Sequence, residues 1–161
     1  MDPKPQRRKH QDGALSSLNA AVEATNVAEE RAGVVPVKAA FGSVSALLAA
    51  IRDSMIKKVD YVELGLACAE VCGVLDRGMN GRREDQISQS VFEAIERLTT
   101  TVAEIERNVD ELGRRNRISR LFHAKNDKDA IAAWRLDLNR ILHVFNVRII
   151  TSALTSLTVR L

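Results

Sequence analysis

The sequence predicts an all-α protein, an antiparallel up-and-down four-helix bundle with an additional N-terminal helix. Only 4% of its 161 residues are aromatic and three are Pro, a composition that favours helices over strands. Apolar residues recur at alternating spacings of three and four along extended segments, as they do on helices packed in a bundle. We find no run of alternating β-branched residues bounded by turns, which would predict a strand.

The first part of the chain predicts a tail followed by a leading helix. Residues 1–13 contain two Pro and four basic residues and end at Gly13, so we expect a basic flexible tail. Residues 14–32 are rich in Ala and carry a thin apolar stripe from Leu15 to Thr25 at helical spacing. This stripe predicts a leading helix that either belongs to the bundle or braces it.

Residues 36–160 predict the four-helix bundle itself. The first helix runs from Pro36 to about 57, and the second runs from about 60 to the Gly-containing segment 78–81. The third runs from about 83 to 124, a turn follows at Asn126 and Asp127, and the fourth runs to about 158. The residues predicted to face the core are Val37, Phe41, Val44, Leu48, Ile51, Met55, Tyr61, Leu64, Cys68, Val71, Leu75, Val91, Ile95, Leu98, Val102, Ile105, Val109, Leu112, Ile131, Trp134, Leu138, Ile141, Leu142, Phe145 and Ile149.

The overall charge is modest, at +3 from 24 basic and 21 acidic residues. This total is too small to indicate nucleic-acid binding. The chain also has few aromatic residues for base stacking and no recognition motif, so we do not expect nucleic acid as a partner. No segment reaches the ~18 consecutive apolar residues of a membrane-spanning helix. The N-terminus has no apolar stretch behind its basic residues, so it does not resemble a secretory signal. We expect a cytoplasmic protein.

The basic residues are unevenly distributed and predict a cationic end of the bundle. Antiparallel helices bring the 57–60 turn, the 125–127 turn and the tail to one end, and residues 112–125 contain no acidic side chain. An unbroken helix over 83–124 would be roughly 60 Å long, against about 30 Å for the helix before it. Either this helix bends near Gly113, or the third and fourth helices form a hairpin that projects beyond the other two. The expected phospholipid-binding residues are Lys57, Lys58, Arg114, Arg115, Arg117, Arg120, Lys125 and Lys128.

Two explanations of this basic end remain open. Anionic lipid headgroups would attract it, since each Lys or Arg near an acidic membrane contributes about 1 kcal/mol. Alternatively, the arginines lie on a solvated helix end and interact favourably with the negative end of the helix dipole.

Motifs for catalysis or cofactor binding are missing. The sequence has no phosphate-binding glycine loop, nucleophile elbow or zinc-protease motif. Cys68 and Cys72 lack a further ligand nearby, and we expect both cysteines and Trp134 to lie in the core. We therefore predict neither an enzyme nor a cofactor or metal site.

Several stretches between about 37 and 147 resemble the N-terminal helical domain of large proteins from mushroom-forming fungi, which often precedes NACHT or repeat regions. They are FGSVSALL (41–48), YVELGLAC (61–68), LDRG (75–78), SRLFHAKND (119–127) and WRLDLN (134–139). That domain is similar to the four-helix bundle of the mixed-lineage kinase domain-like family and to a superfamily that includes the Cbl adaptor bundle.

The resemblance implies a role in cell death or immune signalling. In such families the exposed bundle self-associates, engages anionic phospholipid at the plasma membrane through basic residues and permeabilises it, as in necroptosis. It implies a homo-oligomer on activation and a regulatory protein partner, and it transfers no catalytic residue. The alternative is a passive adaptor module for protein–protein interaction at the N-terminus of a larger NACHT-type signalling protein.

Overall fold

A computed structural model describes the backbone of residues 4–55, 61–114 and 117–159. It also describes their side chains, except those of residues 4–11, 55, 113, 117–127, 156 and 159. These residues form an all-helical structure, and no strand occurs among them. Five α-helices follow one another, and a short 3-10 helix, Glu84–Gln86, precedes the fourth. The α-helices are α1 (Lys4–Arg31), α2 (Val35–Met55), α3 (Tyr61–Met79), α4 (Gln89–Arg114) and α5 (Arg117–Val159).

α1 lies against α2 and α3. The Ser45 hydroxyl in α2 donates to Asn26 Oδ1 at 2.6 Å, and Arg52 donates to Asn19 Oδ1 at 3.4 Å. Later residues of α2 therefore meet earlier residues of α1, so the two helices are antiparallel. Leu18 lies beside Gly65, and further along both helices the Thr25 hydroxyl donates to the Cys72 sulfur at 3.1 Å, so α3 runs in the same direction as α1.

α5 runs in the same direction as α3. Arg135 forms a hydrogen-bonded ion pair with Glu63 near the start of α3. Further along both helices, Ile149 and Phe145 pack beside Gly78, where an added Cβ would lie 2.5 Å from Ile149 Cδ1. The absence of a side chain at Gly78 thus lets α5 approach the end of α3 closely.

α4 runs opposite to α5. Arg148, late in α5, donates to the Ser90 carbonyl at 2.9 Å at the beginning of α4. The directions of all five helices give the molecule two ends. At the proximal end α1, α3 and α5 begin and α2 and α4 end; at the distal end these relations are reversed.

Close contacts join α2 to α3, α3 to α5, α5 to α4 and α4 to α2, and α1 contacts α2 and α3. Among the described residues, α3 and α4 do not contact each other closely although they are consecutive in the chain. The segment 80–88 between them is long enough to cross from one side of the structure to the other. An up-and-down bundle places consecutive helices side by side, and α3 and α4 depart from this expectation.

The core includes the residues predicted from the apolar spacing, together with residues that were not predicted, among them Leu47, Val74 and Ile87. Most of the predicted residues are buried; Leu112, Trp134, Ile141 and Ile149 are partly buried, and the Met55 side chain lies outside the described residues. On the leading helix Leu18 and Thr25 are also buried. The alternation of three and four therefore identified the packed face of each helix correctly.

The predicted turn at Asn126 and Asp127 is wrong, because α5 continues through both residues. α4 ends at Arg114 and α5 begins at Arg117, and residues 115–116 between them lie outside the described part of the chain. Asn and Asp disfavour a helix interior only modestly, and the apolar period continues across them from Ala124 to Ile131. The sequence 113–117 contains Gly113 and no apolar residue, so it does not extend the apolar period of either helix.

α1 begins at Lys4, earlier than the predicted start of the leading helix at 14, and passes through Gly13. The Ser17 hydroxyl donates to the Gly13 carbonyl at 3.0 Å one turn earlier. A single glycine costs a helix only about 1 kcal/mol, and Pro5 is compatible with the first helical turn because its missing N–H has no partner there. Gly13 therefore does not end the helix.

α4 begins later than predicted, at Gln89 rather than near 83. The Val91 N–H donates to the Ser88 hydroxyl at 3.3 Å, so Ser88 caps the helix. Gly81 just upstream has φ of 73°, a left-handed conformation that glycine adopts without steric cost. The end of α3 and the start of α4 thus both have local causes.

Candidate functional site

The proximal end gathers three helix termini whose sequences are basic. α1 starts there with Lys4, Arg7, Arg8 and Lys9 in its first two turns, and α5 starts there with Arg117. α4 ends there with Arg114 in its last turn. The helix directions thus place these stretches of backbone at one end of the molecule.

The structure locates the predicted lipid-binding residues to different extents. Arg114 and Lys128 have described side chains, and both are exposed. Arg117, Arg120 and Lys125 lie in α5, but their side chains are outside the described part of the structure. Lys57, Lys58 and Arg115 lie wholly outside the described residues.

Arg114 forms an ion pair with Asp110, which lies one helical turn earlier in α4. Its Nη2 donates to Asp110 Oδ2 at 3.1 Å, and the two side chains are 80% and 56% exposed. An exposed ion pair of this spacing stabilises a helix by only about 0.3–0.5 kcal/mol. Arg114 is therefore free to exchange Asp110 for another anion at little cost to the fold.

The helix dipole acts differently on the basic residues of this end. Arg114 is next to the negative end of α4, where a cation is stabilised. Arg117 and Arg120 are instead in the first turn of α5, close to its positive end, where cations are unfavourable. The first turns of α1 and α5 contain no acidic residue to compensate.

Acidic side chains also lie near this end. The sequence-based prediction of a cationic end did not include them. Asp110 and Glu111 are exposed in the last turns of α4, Asp129 is exposed in α5, and Asp53 pairs with Arg52 near the end of α2. Asp110, Glu111 and Asp129 were visible in the sequence, since they lie close to either side of the acid-free segment 112–125. They reduce the net positive charge that a partner would meet.

The cysteines lie in the core, as predicted. Both thiols are free and buried. Burial raises the pKa of Cys68 to about 12, and burial is also the main cause of a raised pKa at Cys72, whose sulfur accepts a hydrogen bond of 3.1 Å from Thr25. Neither thiol is activated as a nucleophile. Among the residues with described positions, no cluster of three potential metal ligands is found.

In the part of the chain that the structure describes, one helix is long and apolar enough to cross a membrane by length and composition, namely residues Val35–Ser54 of α2. The same residues supply much of the core, since Val37, Phe41, Val44 and Ile51 are buried against the other helices. A core helix passes the same test, so this finding is weak support for a membrane span.

Comparisons with known proteins give no assignment. No family model, no curated protein and no solved structure matches the chain. The resemblance noted from short sequence stretches therefore stays a prediction, and the functional argument depends on the residues of the chain.

Proposed function

We propose that this protein is a helical module that binds anionic phospholipid surfaces through its proximal end. The observation that carries the proposal is that the helix directions bring two basic helix N-termini and the C-terminal Arg114 to the same end of the molecule. Neither N-terminal turn contains an acidic residue. Backbone N–H groups and the positive ends of the helix dipoles attract the same negative groups as the basic side chains.

The number of basic residues is sufficient for membrane binding. Each Lys or Arg close to an acidic membrane contributes about 1 kcal/mol. Lys4, Arg7, Arg8 and Lys9 of α1 add to the eight residues predicted for this surface. About eight of these twelve charges in contact with lipid would give micromolar binding, since about 8 kcal/mol corresponds to that affinity.

We further propose that α2–α5 form the four-helix bundle and that α1 braces it. Two observations support this arrangement. Contacts between successive members close a ring of α2, α3, α5 and α4, and α1 packs against α2 and α3. The resemblance adds the biological setting: a cytoplasmic protein, released by a regulatory partner, that associates peripherally with the plasma membrane and disturbs it during programmed cell death.

Flotation with liposomes tests the proposal. The chain is mixed with neutral phosphatidylcholine vesicles or with vesicles that also contain phosphoinositide, and dye release is recorded in parallel. We expect flotation with the anionic vesicles, lost when Arg114, Arg115 and Arg117 are changed to Glu. The matched control changes three arginines at the distal end to Glu, namely Arg77 in the last turn of α3 and Arg82 and Arg83 before the start of α4, and it should still float.

The outcomes separate binding from permeabilisation. Flotation with leakage supports a membrane-disturbing effector, and flotation without leakage supports a module recruited to membranes. Absence of flotation, or flotation that survives the change at Arg114, Arg115 and Arg117, refutes the lipid-binding end. It would leave the basic residues as a solvated helix end.

A passive adaptor role is the second candidate function. It is favoured by exposed apolar residues on α5 at the distal end, among them Ile150 and Leu154, because such surfaces commonly receive another helix. In that case the chain would associate with protein in the absence of lipid and would cause no leakage.

A further inference from the structure

α1 lies outside a ring of helices that closes without it. Contacts join α2 to α3, α3 to α5, α5 to α4 and α4 to α2. Within the described part of the chain, α1 approaches only α2 and α3 closely. Removal of α1 would therefore leave every contact of the ring in place.

Few side chains of α1 are buried, although the helix is 28 residues long. Among its described side chains, those of Leu18, Thr25 and Ala28 are buried. The slightly shorter α4 buries Val91, Ala94, Ile95, Leu98, Val102, Ile105 and Val109. Burial of apolar surface is the main favourable term in helix packing, so α1 is held to the molecule less firmly than α4.

Much of the contact between α1 and α2 is polar. Asn26 and Asn19 accept hydrogen bonds from α2 in exposed parts of the interface. Water can replace such hydrogen bonds when the helices separate, so each contributes little to holding them together. The Glu29 carboxylate lies over Gly42 of α2, where an added Cβ would be 3.2 Å from Glu29 Oε1. A charged group in a helix contact loses part of its hydration, which weakens the contact further.

The closed position of α1 on α3 has a defined register. A Cβ at Gly65 would lie 2.6 Å from Leu18 Cδ2, so this leucine occupies the space that the missing side chain leaves. Further along both helices, the buried Thr25 donates a hydrogen bond to the Cys72 sulfur at 3.1 Å. The two contacts are seven residues apart on α1 and on α3, so one alignment of the helices satisfies both.

The connection to the ring suits a pivot at the distal end. Ala32, Gly33 and Val34 separate α1 from α2, and Val34 is buried in the core. No atom of a neighbouring group lies within 4 Å of a Cβ added at Gly33, so the chain is unobstructed just before Val34. Rotation there would swing the proximal start of α1 outwards. The helix would keep its own backbone hydrogen bonds and lose only its side-chain contacts.

We propose that α1 is a reversible strap, which swings away from α2 and α3 while α2–α5 stay folded. Its closure controls access to the surface beneath it. The closed strap covers Gly65 with Leu18 and Cys72 with Thr25. The open strap uncovers this side of α3 and leaves the centre of the ring closed. The inference rests on the proposed bundle of α2–α5 and does not depend on lipid binding.

Cys72 reports the opening. Its thiol is buried beneath α1, and this burial raises its pKa, so alkylation by N-ethylmaleimide requires the open strap. The rate is read by mass spectrometry of the tryptic peptide 59–77, whose fragments distinguish Cys72 from Cys68. Amide hydrogen exchange in α4, which α1 does not contact closely, reports unfolding of the ring.

Two leucine-to-alanine variants test the strap. Leu18→Ala removes the largest of the buried side chains described for α1 and should speed alkylation of Cys72 by at least about tenfold. The matched control, Leu138→Ala, removes a leucine that is fully buried in α5. It should speed amide exchange in α4 by at least about tenfold, yet leave alkylation of Cys72 within about twofold of the unmodified chain. If Leu138→Ala prevents folding, Ile131→Val makes a smaller change in the same helix, with at least about twofold faster exchange in α4 expected.

The two readouts separate failure of the strap from failure of the proposed bundle. If Leu138→Ala speeds alkylation of Cys72 as much as exchange in α4, α1 opens only when the ring unfolds, and the strap is refuted. Alkylation that Leu18→Ala leaves unchanged would also overturn it, because α1 would then not control access to the thiol. Unchanged exchange in α4 of a folded Leu138→Ala chain would instead refute the bundle, in which α5 supports α4.

Discussion

Two exposed Arg–Asp pairs at opposite ends of the molecule give a direct test of where membrane binding occurs. Arg114 pairs with Asp110 at the proximal end, and Arg83 pairs with Asp85 beside the start of α4 at the distal end. Arg114 and Arg83 are 80% and 77% exposed. Arg114→Gln and Arg83→Gln therefore remove the same charge from equally accessible positions.

The expected effect of Arg114→Gln is a loss of about 1 kcal/mol of binding free energy, or about fivefold in affinity. Its ion pair with Asp110 already neutralises part of its charge, so Asp110→Asn should have the opposite effect and strengthen binding. Neither change should lower the free energy of unfolding by more than about 1 kcal/mol, since the pair and the helix dipole each contribute less than that. Arg83→Gln should leave binding unchanged.

The assay is a titration of the protein with anionic vesicles at about 0.1 M salt, where charges separated by more than ~10 Å are screened from each other. Under these conditions the position of a charge matters as well as the total. An equal loss in Arg114→Gln and Arg83→Gln would show that net charge governs binding. This result would refute the assignment of binding to the proximal end.

Three further predictions concern the core. The pKa of Cys68 is raised from 9.0 to about 12, so the folded state keeps a proton that the unfolded state loses, and stability falls as pH rises above 9. Between about pH 8 and about pH 10 the unmodified chain should lose about 1.4 kcal/mol more than Cys68→Ala in urea unfolding. Phe145→Ala removes a fully buried ring and should cost about 3–5 kcal/mol, measured as a lower midpoint in thermal unfolding. Gly65→Ala places a Cβ 2.6 Å from Leu18 Cδ2, so α1 should become more susceptible to proteolysis; unchanged cleavage would mean that Leu18 simply moves aside.

The buried faces of the helices were predictable because they depend on a local pattern. Val91, Ile95, Leu98 and Val102 follow the alternation of three and four and are all buried. Any helix that buries one face must show this period, whatever it packs against. The pattern does not say which helices become neighbours, and the separation of α3 from α4 was therefore not expected.

The boundary between α4 and α5 was not predictable from turn-forming residues alone. Asn126 and Asp127 favour turns, yet they continue a helix, because the gain from unbroken backbone hydrogen bonds and the apolar residues on both sides exceeds their weak preference. The position of the boundary between α4 and α5 also changed which helix contains three of the predicted site residues. It transferred Arg117, Arg120 and Lys125 from the end of one helix to the start of another.

This transfer changes the physical explanation of the basic residues. At the end of a helix, Arg117 and Arg120 would stabilise the fold through the helix dipole, and no partner would be needed to account for them. At the start of α5 they oppose the dipole and reduce stability instead. A bound anion would offset this cost, since it interacts favourably with the arginines and with the free N–H groups of the first turn. The position of Arg117 and Arg120 at the start of α5 is our reason for proposing lipid binding rather than a solvated helix end, both of which were open from the sequence.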